Sequence, residues 1–134
     1  LVARILLIGA SLYTLALTIA SLVRLGKISV GSFNPTDKFL HFIAYLVLVI
    51  IWQLYIVFRE QGFKQYYSYL IKISVLAIAF GMLIEVLQGA LTSFREPDWL
   101  DILANILGVM SAAMLLLLSK GILQRLKSRI NLVF

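Results

Sequence analysis

The sequence has no cysteine, so disulfides are excluded and the redox compartment cannot be read from thiol usage. Proline occurs twice, histidine once, and acidic side chains only six times in 134 residues. Charged residues make up 13% of the chain and hydrophobic ones 62%. A soluble domain of this length cannot bury so much apolar surface, because small domains leave a large share of theirs exposed. Nucleic-acid motifs, low-complexity segments and a separate soluble domain are also lacking. What remains is one compact, all-α membrane domain over residues 1–134.

A bilayer-spanning helix needs about 20 mainly apolar residues. Four such runs are present: Ile5 to Val23, Phe39 to Phe58, Ile71 to Leu91, and Leu100 to Ser119. They predict a four-helix transmembrane bundle with short loops. The first run is long, has a weak basic start and lacks a small-x-small cleavage pattern, so it is expected to be a retained helix and not a signal peptide. The chain opens on leucine instead of methionine, so residues upstream are expected.

Four crossings put both termini and the middle loop on one face. That face collects Arg4, Arg59, Lys64, Lys72, Lys120, Arg125, Lys127 and Arg129, against Arg24, Lys27, Lys38 and Arg95 on the other. Basic residues in short loops favour the cytoplasm, so both termini are expected there. The tail "KGILQRLKSR" is expected to rest on anionic headgroups. Trp99, Phe94 and Phe33 on one side, with Tyr66, Tyr67 and Tyr69 on the other, are read as interfacial belts.

The acids distribute differently. Only Glu60 falls on the basic face. Asp37, Glu96, Asp98 and Asp101 lie in or beside the outer loops. Glu85, in "FGMLIEVLQGAL", lies 13 residues from Lys72, about 20 Å at helical rise. In a core about 30 Å thick this places it in the outer third.

Three helices carry polar residues at i, i+3, i+7, which is one helical face. They are Lys38, His41 and Tyr45; Glu85, Gln88 and Thr92; and Asp98, Asp101 and Asn105. Charge in hydrocarbon is costly, so such residues are expected to face the bundle interior or a wet cavity. The economical arrangement turns all three stripes, with Arg95, into one pocket open to the outside. Gly81 leaves room for a close neighbour. Ala104, Gly108 and Ala112 form a small-residue ridge suited to close helix approach. Ser11, Thr14, Thr18 and Ser21 are expected to line or glue the interior.

Simpler readings exist for several residues. Asp98 suits the first turn of a helix behind Pro97. Asn34, Pro35 and Asp37 suit the start of the second helix, with Asp37 a cap and not a site residue. Arg95 has Glu96 or a headgroup as an ordinary partner. His41 and Tyr45 can satisfy each other, or Glu85, in a structural network.

The segments "DKFLHFIAY", "GMLIEVLQG" and "REPDWLDILANILG" resemble the signature of the VanZ-like membrane proteins, a family named for an accessory glycopeptide-resistance protein. The match falls on Asp37, Lys38, His41, Phe42 and Tyr45, then Gly81, Ile84, Glu85 and Gln88, then Arg95, Asp98, Asp101, Asn105 and Gly108. It covers the last three helices in order. Ala112 departs from it, where many members carry glycine. The resemblance implies a bacterial cytoplasmic-membrane protein and, for the named member, decreased susceptibility to teicoplanin.

The leading expectation is a site that binds or processes an anionic envelope molecule, such as a lipid-linked cell-wall precursor or a phospholipid head, with glycopeptide a further ligand. Lys38 and Arg95 would hold phosphate. If a reaction occurs, Glu85 is the candidate base and His41 the acid or orienting group. Tyr45, Gln88, Asp98, Asp101 and Asn105 would complete the binding wall. No cofactor is expected. A divalent ion on His41, Glu85, Asp98 and Asp101 is the variant, disfavoured by Lys38 and Arg95 in the same pocket. A small proton-coupled transporter using Glu85 is the alternative from another class; the inner halves "LVLVIIW" and "ISVLAIAF" offer nothing to carry a substrate inward. A third possibility is a scaffold in which the polar cluster only locks the bundle.

Overall fold

The computed structural model describes residues 1–22, 35–91 and 98–131. They form four helices: α1 (Val2–Leu22), α2 (Pro35–Arg59), α3 (Tyr66–Leu91) and α4 (Trp99–Asn131). Each is long and apolar enough to cross a membrane, and no strand is present among the described residues. The protein is a polytopic membrane protein built as a four-helix bundle. Its surface is apolar all round: Leu15, Leu76 and Leu118 are exposed, as suits a surface solvated by lipid tails.

α2 is the hub. It packs on α1, α3 and α4, most extensively on α4, while α3 also touches α1 and α4. The α2–α4 approach depends on Gly108, where a Cβ would fall 2.2 Å from the carbonyl oxygen of Phe42. Ala104 and Ala112, one turn to either side, are also buried. Small residues at spacing four let the backbones close to near contact, as the sequence predicts. The apolar core below is built around Val49, Leu70, Ala77, Val109 and Leu116.

α1 is joined to α2 by polar side chains. Tyr13 donates its hydroxyl to the Ala44 carbonyl at 3.0 Å, and Trp52 donates Nε1–H to Thr14 Oγ1 at 3.1 Å. Thr14 and Thr18 also bond back to their own helix, at Ala10 and Thr14. Ser11 is exposed and does not line the interior, because the packed face of α1 turns away from it.

The helix ends differ from expectation at the face of the bundle remote from the polar stripes. α3 begins at Tyr66 instead of Ile71, and α4 runs to Asn131 instead of Ser119. At 33 residues α4 is about 50 Å long, so its last third passes beyond a hydrocarbon core of about 30 Å. Tertiary contacts explain both extensions. Tyr66 is not an interfacial belt residue: it is buried and donates its hydroxyl to the Leu116 carbonyl at 2.7 Å. Lys127 does not rest on headgroups. It is buried, and its ammonium donates to the Val57 carbonyl at 2.7 Å and to that of Glu60, satisfying carbonyls that the end of α2 leaves open. Arg125 and Arg129, in the same tail, are exposed. The half of the bundle remote from the polar stripes is also less apolar than its sequence suggests, since Gln53 is fully buried and donates to the Tyr66 carbonyl at 3.4 Å.

Candidate functional site

α2, α3 and α4 bring their polar stripes together at the end of the bundle where α3 finishes and α4 begins. Pro35 opens α2, and Asp37 in its first turn complements the positive end of the helix dipole. Asp98 opens α4 as its N-cap: Oδ1 accepts the Leu100 backbone N–H at 2.8 Å. Its backbone N–H donates to Glu85 Oε2 at 3.3 Å, which ties the cap to α3. Asp98 is therefore a cap through one oxygen and a neighbour of Lys38 through the other.

That oxygen, Oδ2, accepts a hydrogen bond from Lys38 Nζ at 2.5 Å. The same ammonium donates to Asp101 Oδ1 and stands 3.9 Å from Asp37 Oδ2. Its hydrogen bond to Asp98 holds that carboxyl below the usual carboxylate range. The two main partners of Lys38 differ in access: the Asp101 side chain is 4% exposed and that of Asp98 29%. Lys38, expected to hold phosphate, has its ammonium clamped between carboxylates. Asp98 at the N-cap of α4 and Asp101 in its first turn thus flank and neutralise the one lysine from α2.

His41 lies one turn deeper on α2. Its Nδ1 lies within hydrogen-bonding distance of Asn105 Oδ1, at 3.1 Å. Nε2 faces Asp101 Oδ2 at 3.7 Å. Below them, Tyr45, Glu85 and Asn105 are almost completely buried. Tyr45 Oη and Asn105 Nδ2 have no hydrogen-bond partner among the described residues. Gly81 permits this packing, since a Cβ there would fall 3.0 Å from the Tyr45 ring and 3.1 Å from Asn105 Nδ2. Gln88, also buried, donates to the Ser21 carbonyl at 2.8 Å and so joins α3 to α1.

Of the predicted site residues, Lys38, His41, Tyr45, Glu85, Asp98, Asp101 and Asn105 converge, whereas Gln88 is buried and bonded to α1. Arg95 and Thr92 lie outside the described residues, as do Asn34, Phe33, Phe94, Glu96 and Pro97. Asp37 was expected to be a cap alone, yet it belongs to the cluster: with His41 and Asp101 it offers ligand atoms that all lie within 4.8 Å of one another. The i, i+4 spacing of Asp37 and His41 was the available signal. Among the described residues, Asp37, Glu85, Asp98 and Asp101 face one lysine and one histidine, so the site has more acid than base. Chemically it provides proton carriers and charge partners, and no serine, threonine or cysteine nucleophile among its described members.

The fold and site define a multi-pass helical membrane protein with a buried polar cluster at one end. Comparisons with family models, with curated proteins and with solved structures find no match to the chain.

Proposed function

We propose that this is a VanZ-like integral membrane protein of the bacterial cytoplasmic membrane, with both termini cytoplasmic and the polar cluster on the extracytoplasmic side. Its function is to bind or process the head group of an anionic envelope molecule, a lipid-linked precursor or a phospholipid, with a connection to glycopeptide susceptibility. The signature residues on three helices support the family reading. The observation that carries the binding reading is the unequal clamp on Lys38. Asp101 is buried and fixed, whereas Asp98 is open to the surroundings and can be exchanged for a phosphate oxygen while Asp101 stays in place. Arg95, two residues before Pro97, is the second anion partner.

Asp98→Asn tests this cleanly, because asparagine caps a helix as well as aspartate and only the competing charge is lost. Binding of a polyprenyl phosphate to the purified protein is expected to tighten about tenfold, equivalent to about 1.4 kcal/mol. Lys38→Met is expected to abolish it. Equal affinity in wild type and both variants, each shown to be folded, removes Lys38 from ligand binding.

The compact set of Asp37, His41 and Asp101 favours one second reading, a divalent cation held by oxygen and imidazole ligands. His41 fits the role, with Nδ1 beside Asn105 Oδ1 and Nε2 toward Asp101, as metal-bound histidines are usually oriented by a second partner. Lys38 opposes it by placing an ammonium on Asp101. Lys38→Met is therefore expected to bind one Mn²⁺ per chain in an electron-paramagnetic-resonance titration, and further replacement of His41 by alanine to lose it. A Lys38→Met protein that takes up no Mn²⁺ discards the cation reading.

A further inference from the structure

The opposite end of the bundle carries a feature independent of the polar cluster. Between α3 and α4 runs an open apolar groove of about 330 Å³, walled by Tyr67, Ile71 and Ile78 on one side and Ala113 and Leu117 on the other. From Tyr67 to Ile78 it extends 11 residues, about 16 Å at helical rise. That is about half of a hydrocarbon core roughly 30 Å thick, the depth of one leaflet. Ser74 lies in the α3 wall with its hydroxyl buried, and the lining groups on α4, Ala113 and Leu117, are aliphatic.

The mouth of the groove is charged. Lys120 follows Leu117 by one turn of α4, and its ammonium stands 4.0 Å from the Tyr67 ring centroid and 5.6 Å from that of Tyr66. Two aromatic faces thus hold the cation at the rim. Among the described residues no carboxylate lies within ion-pairing distance of it. The contrast with Lys38, which is clamped by aspartates, and with Lys127, which caps α2, is the informative point. Lys120, unlike them, is placed by aromatic rings beside an apolar channel and has no counter-ion among the described groups.

We infer that the α3–α4 groove is a binding site for one anionic phospholipid of the adjacent leaflet, with an acyl chain along the groove and the phosphate on Lys120. The length matches a single leaflet. The charge selects the head group, because a net negative lipid neutralises Lys120 whereas a zwitterionic one brings its own cation to the same place. A basic residue at the membrane surface favours an anionic lipid by about fivefold.

The test uses the full chain, purified in detergent, stripped of lipid and titrated with phosphatidylglycerol or phosphatidylcholine under native mass spectrometry. Wild type is expected to retain one phosphatidylglycerol about fivefold more readily than phosphatidylcholine. Lys120→Gln, at a half-exposed position that leaves the fold intact, is expected to abolish the preference. Ala113→Phe, which fills the groove, is expected to reduce retention of both lipids. An undiminished preference in Lys120→Gln overturns the proposal, as does unchanged retention in Ala113→Phe. A wild-type dimer that Ala113→Phe converts to monomer also overturns it, by assigning the groove to a second copy of the chain.

Discussion

Gly108→Ala is expected to cost most of the protein's stability in detergent. An added Cβ would lie 2.2 Å from the Phe42 carbonyl oxygen and 3.1 Å from the Leu46 nitrogen. All the nearest atoms are backbone, so no side-chain rotation relieves the clash and α2 itself must retreat. Retreat loosens the most extensive helix contact in the molecule, along the ridge where Ala104 and Ala112 are buried. Overpacking of a closed core ordinarily costs about 1–3 kcal/mol, and a backbone-to-backbone contact belongs at the upper end or beyond. Gly121 gives the matching control on the same helix. Nothing lies within 4 Å of a Cβ there, so alanine is expected to stabilise α4 by about 0.5–1 kcal/mol. Thermal unfolding of the two variants in one detergent checks both signs. If Gly108→Ala unfolds at the wild-type temperature, the close approach of α2 and α4 is wrong.

Lys38→Met is the second large effect. It leaves the buried Asp101 carboxylate and its neighbour Asp98 without their ammonium, and breaking a buried pair from one side costs about 3–5 kcal/mol. The damage comes from the stranded charge more than from the lost attraction. Lys38→Met with Asp101→Asn is therefore expected to lose less than the two single changes added together, with a coupling energy of about 1–3 kcal/mol. A double-mutant cycle by denaturant or thermal unfolding measures it. Strict additivity would show that the clamp joining α2 to α4 contributes nothing, and the exchange of Asp98 for a phosphate oxygen would lose its basis.

These two effects act on neighbouring turns of α2. Phe42 meets Gly108 through its backbone, while Lys38 and His41 reach across to Asp98, Asp101 and Asn105. The polar cluster therefore stands directly above the tightest crossing in the bundle. A site mounted on such a crossing has its distances set by backbone contact and not by flexible side chains, which is the condition for precise placement of charge.

The order and number of helices were legible because a span of about 20 apolar residues is a length requirement that any membrane helix must meet. The three polar stripes were equally legible, since i, i+3, i+7 spacing defines a helical face wherever the helix is placed. Gly108 and the alanines around it could be read as a contact ridge for the same local reason. The ends of α3 and α4 were not legible. The stretch after Ser119 is polar enough to resemble a surface tail, and only the carbonyls at the end of α2 give Lys127 a reason to be buried. Tyr66 resembled a belt residue until the Leu116 carbonyl came within reach of its hydroxyl.

By itself, then, the sequence determined a membrane-spanning bundle and the faces on which its scarce acids, its histidine and its glycines would lie, because hydropathy and helical periodicity are local properties. Which charges would meet was decided only by the tertiary structure. Asp37, Asp98 and Asp101 are all near Lys38 in principle, but their shares of that one ammonium depend on the crossing of α2 and α4. Electrostatic partnership falls off over a few ångströms, and distances that short are set by packing between helices remote in the chain.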